Sequence, residues 1–96
     1  MRPSELVARH KQAMRAIVAR YPVGNPRLFG SVARGEDADT SDVDLLVDAR
    51  EGTTLFDLAG LQAELESLLG VRVDIVSSGA LGHRKYDAVL SDARPL

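Results

Sequence analysis

Two short stretches gather the residues able to do chemistry: Leu28-Phe29-Gly30-Ser31-Val32-Ala33-Arg34-Gly35, and then Ser41-Asp42-Val43-Asp44-Leu45-Leu46-Val47. Along an extended strand, residues i and i+2 point to the same face, so Asp42 and Asp44 project together, their Cα atoms about 6–7 Å apart. Val43, Leu45 and Val47 turn the other way, into a core. Two carboxylates side by side repel unless a positive charge sits between them, and hard divalent cations such as Mg²⁺ prefer oxygen ligands. The Gly30-Ser31 turn supplies the complement. A glycine lets backbone approach a ligand closely, and amides opening a helix attract phosphate oxygens. An anion cradle beside a carboxylate pair is what nucleotidyl transfer from a nucleoside triphosphate requires.

The elements that must hold these residues follow from periodicity. Residues 4 to about 20 read as a helix capped by Ser4, with Val7, Met14, Val18 and Tyr21 at helical spacing and Leu6, Ala13 and Ile17 in support. Pro22-Val23-Gly24-Asn25-Pro26 reads as a loop. Arg27-Leu28-Phe29 is then a short strand, Ser31 to Arg34 a short helix, and Glu36 to Ser41 a polar turn bordering the site. Val43 to Val47 is the second strand. Thr54-x-x-Asp57 is a capping box that opens a helix to Leu69, striped by Leu58, Leu61, Leu65 and Leu68 and stopped by Gly70. Val71 to Val76 alternates as a third strand, a last helix spans about His83 to Ser91, and Arg94-Pro95-Leu96 is an extended tail. The order αβαβαβα predicts a small α/β (α+β) layer around a mixed sheet of three to four strands.

Alternation in the third strand sets Arg72, Asp74 and Val76 opposite Val71, Val73 and Ile75. If that strand lies beside the one carrying Asp42 and Asp44, three carboxylates converge. Three can hold two Mg²⁺ ions, or one ion with the third acid acting as base toward an incoming hydroxyl.

Composition sets the bounds. Ninety-six residues suit one domain, residues 1–96, with a single core and no second lobe. The net charge of −2 gives no broad basic field to recruit nucleic acid. Apart from Lys11 and Lys85 the cations are scattered arginines. The absence of cysteine excludes disulfides and zinc–thiolate sites and suits a cytoplasmic protein. No run reaches transmembrane length, so no membrane contact is expected.

Other readings of the same residues fail. Gly30-x-x-x-x-Gly35 begins like a P-loop, but Glu36-Asp37 stand where Lys and Ser/Thr belong. Asp37-x-Asp39-x-Ser41 begins like an EF-hand, but Asp42 takes the required glycine position and Asp48 replaces the bidentate Glu. His10 and His83 read as surface helix residues, Tyr21 and Tyr86 as packing, and Asp48, Asp57, Asp87 and Asp92 as solvent or capping positions. Arg72 shares a face with Asp74 and can neutralise it.

Gly-Ser, a spacer, Asp-x-Asp and a later third acid together resemble the DNA polymerase β-like nucleotidyltransferase superfamily. Within it, Leu28 to Gly35 and Ser41 to Val47 resemble the minimal nucleotidyltransferase (MNT) antitoxin branch of the HEPN/MNT toxin–antitoxin systems, over nearly the entire chain. The resemblance implies a mixed sheet with flanking helices and ATP bound as substrate with Mg²⁺, two ions in number. Gly30 and Ser31 would hold the triphosphate with Arg34 nearby. Asp42 and Asp44 would hold the metal, and Asp74 would complete that site or activate the acceptor. It further implies a hetero-oligomer with a HEPN ribonuclease toxin, neutralised by transfer of AMP to its tyrosine hydroxyl. The alternative is a non-catalytic antitoxin that acts by complex formation alone.

Overall fold

The computed structural model describes the backbone of residues 1–96 and all side chains except those of residues 83–85. Helices and strands alternate as α1 (Pro3–Val18), β1 (Val23–Phe29), α2 (Gly30–Arg34), β2 (Val43–Ala49), α3 (Leu55–Leu69), β3 (Val73–Ser77), a 3₁₀ turn (Ser78–Ala80), α4 (His83–Asp92) and β4 (Arg94–Pro95). The expected order is met, and the tail adds a fourth strand. The four strands lie in the order β3-β2-β1-β4. β1 is antiparallel to both β2 and β4, whereas β2 and β3 run parallel through the α3 crossover.

The core forms on one face of this mixed sheet. Val43, Leu45 and Val47 of β2 and Val73 of β3 are fully buried there, under Val7, Met14 and Val18 of α1 and Leu61, Leu65 and Leu69 of α3. Each such side chain contributes about 1.5–3 kcal/mol by leaving water. Leu46 is also fully buried, although alternation turns it to the opposite face, the face of Asp44. Thr54 caps α3 as expected: its hydroxyl accepts from the Asp57 N–H at 3.2 Å, while the Asp57 carboxylate accepts from the Thr54 N–H at 2.9 Å. Gly70 ends the helix in the left-handed conformation, at φ 74°.

Several boundaries differ from expectation, each for a local reason. Pro3, not Ser4, opens α1, because a residue without an N–H fits the first helical position. Ser4 is therefore no cap; its own N–H donates to the Asp37 carboxylate at 2.8 Å. The helix ends at Val18 rather than near residue 20 and is kinked at His10, which is half-buried there. Ala13 faces solvent. The stretch Val23 to Pro26, expected as a loop, belongs to β1. A register shift between Gly24 and Arg27 absorbs Asn25 at φ 49°, and Pro26 needs only its carbonyl, which accepts the Leu96 N–H at 3.0 Å. β2 extends to Ala49, and β3 begins at Val73 and ends at Ser77 rather than spanning Val71 to Val76. The surface reading of His83 lies outside the described side chains. Among the described residues no helix is long and apolar enough to cross a membrane.

This packing makes α3 two-faced: Leu65 is 0% exposed and Phe56 is 89% exposed. Leu65→Ala should therefore lower the urea-unfolding free energy by about 2–5 kcal/mol. Phe56→Ala should stay within about 0.5 kcal/mol of the parent.

Candidate active site

Strand register brings the acids together. In the parallel pair, Asp44 of β2 stands directly beside Asp74 of β3, and in the antiparallel pair Asp44 faces Phe29, the last residue of β1. Asp42 lies just before β2, where the Val43 N–H is held by the Arg72 carbonyl at 2.9 Å. Asp44 and Asp74, expected from the sequence to come together, thus stand side by side near the starts of β2 and β3, with Asp42 two residues before Asp44.

The three acids also act on one another through their charge. The Asp44 carboxyl is pushed up to about 6, first by burial, then by the negative charges of Asp74 and Asp42, with Arg34 opposing. Asp44 is the half-buried centre of the group, and Asp74 is exposed at its side.

The chain leaves β1 across this acid. Gly30 sits at φ 71°, and a Cβ placed on it would run into the Asp44 carboxylate oxygen Oδ2. Only a glycine lets the backbone pass so close to the carboxylate. Ser31 follows in the first turn of α2, half-buried, and Gly35 closes that helix in the left-handed conformation. Gly30, Ser31 and Asp44 are thus neighbours by construction.

Arg34 points its guanidinium at two other acids. Its Nε donates to Glu36 at 3.1 Å and its Nη1 to Asp92 of α4 at 2.6 Å. Its pKa is raised by the hydrogen bonds to Glu36 and Asp92. These are exposed ion pairs, weak and exchangeable, and Arg34 still counts among the charges acting on Asp44. Asp92, expected to be solvent or a cap, is thereby a tie between α4 and α2. Asp48 likewise is no free solvent residue: Arg27 Nη2 donates to its Oδ1 at 2.5 Å and Asn25 Nδ2 to its Oδ2 at 3.2 Å. Tyr21 packs on Gly60 of α3 as expected, and its hydroxyl also donates to Glu64. Arg72 is exposed, and among the described residues it makes no ion pair with Asp74.

The residues present fit a Mg²⁺ ion. Among the described residues, no three His, Cys, Asp or Glu side chains form a ready metal cage. Mg²⁺ does not need one, because it keeps waters and binds through one or two carboxylates together with substrate phosphates. A carboxyl raised to about 6 by burial and then by its acidic neighbours is the setting that an added cation relieves.

Sequence reasoning missed Asp37, the buried acid in the loop before β2, and Leu46. Asp37 carried no signal, since polar loops normally face water. The unbroken apolar run Leu45-Leu46-Val47 was the available sign that β2 is covered on both faces.

A mixed four-stranded sheet with a Gly-Ser turn crossing a strand-borne acid is a nucleotidyltransferase architecture. The chain belongs to the nucleotidyltransferase domain family, whose profile matches residues 9–95. It is similar to a solved structure described as a minimal nucleotidyltransferase, with 50% identity and a TM-score of 0.87 over 100% of this chain and 97% of that one. It is 41% identical to the protein adenylyltransferase MntA of Thermococcus cleftensis, over 79% of this chain and 74% of that protein. A Methanocaldococcus jannaschii protein named among the protein adenylyltransferases is 37% identical over 86% of this chain and 89% of its own length. A toxin–antitoxin crystal structure with AMP-PNP shares the fold, at 21% identity and a TM-score of 0.78 over 88% of this chain and 70% of that one.

Gly30 and Gly70 separate backbone strain from site disruption, since φ is 71° and 74° but only at Gly30 does a Cβ meet anything. Alanine at either should destabilise the fold by about 1 kcal/mol or more. Only Gly30→Ala should weaken ATP binding in the presence of Mg²⁺, at least tenfold by calorimetry. Equal affinity in the two variants would remove the Gly30 crossing from the site.

Proposed function

We propose that this chain is a Mg²⁺-dependent protein adenylyltransferase that acts as an antitoxin. It transfers AMP from ATP to a hydroxyl, that of a tyrosine, on a partner HEPN-type ribonuclease toxin, and so silences it. The observation that carries the reading is the placement of Asp74 beside Asp44 under the Gly30 backbone. Relatives 37% and 41% identical that are named protein adenylyltransferases support it.

In the proposed reaction the acceptor oxygen attacks the α-phosphorus of ATP, the bond to the bridging oxygen breaks, and pyrophosphate leaves. Gly30 and Ser31 orient the triphosphate, with Arg34 contributing positive charge once it leaves Glu36 and Asp92. Asp42 and Asp44 would hold Mg²⁺. Asp74 completes that set or takes the acceptor proton on a carboxylate oxygen. When bound, Mg²⁺ neutralises charge on the attacking and leaving oxygens. The protein's share is position and fixed charge, as in phosphoryl transfer generally. We read residues 1–96 as one minimal domain in a cytoplasmic hetero-oligomer. In this reading the partner protein brings the acceptor.

Intact mass of the partner toxin after incubation with this protein, ATP and Mg²⁺ tests the proposal, with an Asp42→Asn, Asp44→Asn variant alongside. AMP increments with the parent and none with the variant are expected. If neither version adds mass while both bind and silence the toxin, neutralisation is by complex formation alone.

A further inference from the structure

We propose that Asp37 is a positioning residue: it pins the loop between α2 and β2 to the start of α1 and so sets where Asp42 stands relative to the Gly30-Ser31 turn. The inference rests on the reading of that turn and of Asp42 as one nucleotide and metal site.

The loop carries the chain from the phosphate-facing turn to the first acid. At its near end the Glu36 N–H donates to the Ser31 carbonyl at 2.9 Å. At its far end, next to Asp42, the Ser41 N–H donates to the Ala38 carbonyl at 3.0 Å, and the Ala38 N–H to Ser41 Oγ at 2.9 Å. Between these two closed turns stands Asp37. Its carboxylate leaves the loop and accepts the Ser4 N–H at 2.8 Å, in a bond spanning 33 residues. The loop is thus tied to α2, to α1 and to itself, and the tie to α1 is the one made by a side chain of distant sequence.

Asp37 is 5% exposed and is the one buried charged side chain among the described residues. Burial pushes its pKa up, but the hydrogen bond from the Ser4 N–H and the charge of Arg2 help to outweigh this and hold it below the usual range. The start of a helix favours an anion for the same reason, through its free N–H groups and dipole. Arg2, at the cap position, offers α1 no side-chain bond, so Asp37 does that work from outside.

Capping alone does not account for this choice. Oδ1 of Asp37 is buried with no hydrogen-bond partner, and a half-satisfied buried carboxylate is a costly cap. A serine or aspartate at position 2 would satisfy the same N–H from the surface. What the distant acid adds is a fixed distance between α1 and the loop leading to Asp42.

The test sets Asp37→Ala against Thr54→Ala, which removes a helix cap on α3, outside the proposed site. Both variants should lower the urea midpoint. Only Asp37→Ala should weaken binding of ATP with Mg²⁺, at least tenfold by calorimetry, and speed amide exchange at Ser41 at least tenfold. Asp37→Asn, which keeps an oxygen for the Ser4 N–H, should recover most of the affinity. Parent-like affinity and exchange in Asp37→Ala would overturn the proposal and leave Asp37 a cap. If the parent itself binds no ATP, the nucleotide reading of the site fails, and Ser41 exchange in the two variants still decides whether Asp37 holds the loop.

Discussion

Three carboxylates kept within one another's field are the constraint on which the rest of the molecule depends. The in-register pairing of Asp44 with Asp74 forbids the simplest relief, a drift apart. Their strands are locked from the other face, where Val43, Leu45, Val47 and Val73 are fully buried. Burial of Asp44, and after it that repulsion, is met by protonation instead. The folded protein keeps the Asp44 proton up to about pH 6, whereas an unfolded chain releases it near 4. The stabilisation linked to that proton is full below about pH 4 and is lost as pH rises through 6. A site under that tension at neutral pH is prepared for a cation.

The backbone above the acids is shaped by the same demand. Gly30 allows the chain to cross Asp44 where any side chain would collide, and its positive φ turns the chain into α2. Among the described residues, the neighbouring cations discharge the cluster only in part. Arg34 is shared with Glu36 and Asp92, and Arg27 is held by Asp48, so most of the charge facing the acids is left for a ligand to supply.

The acids and the Gly-Ser turn were legible in the sequence because their spacing in a strand has a direct geometric meaning. Val43, Leu45 and Val47 gave the buried face, Thr54 and Asp57 the start of α3, and Gly70 its end. What escaped was whatever depends on partners distant in sequence. Val23 to Pro26 carries loop residues, yet Leu96 at the other end of the chain and Ala49 across the sheet draw it into β1. Asp37 looked like one more polar loop residue, and no local pattern pairs it with Ser4. Ser4 itself satisfied the local rules for a cap, but Pro3 took the first helical position. Asp92 escaped in the same way, since its partner Arg34 is 58 residues away.

The most direct test of this account is a ¹³C NMR titration of the Asp44 carboxyl, in the metal-free protein and again with Mg²⁺ and a non-hydrolysable ATP analogue. The account predicts a midpoint near 6 in the metal-free protein. With ion and nucleotide bound, the midpoint should fall by more than one unit, because a cation beside the carboxylate favours its charged form. A midpoint near 4 that does not respond to the ion and nucleotide would contradict it.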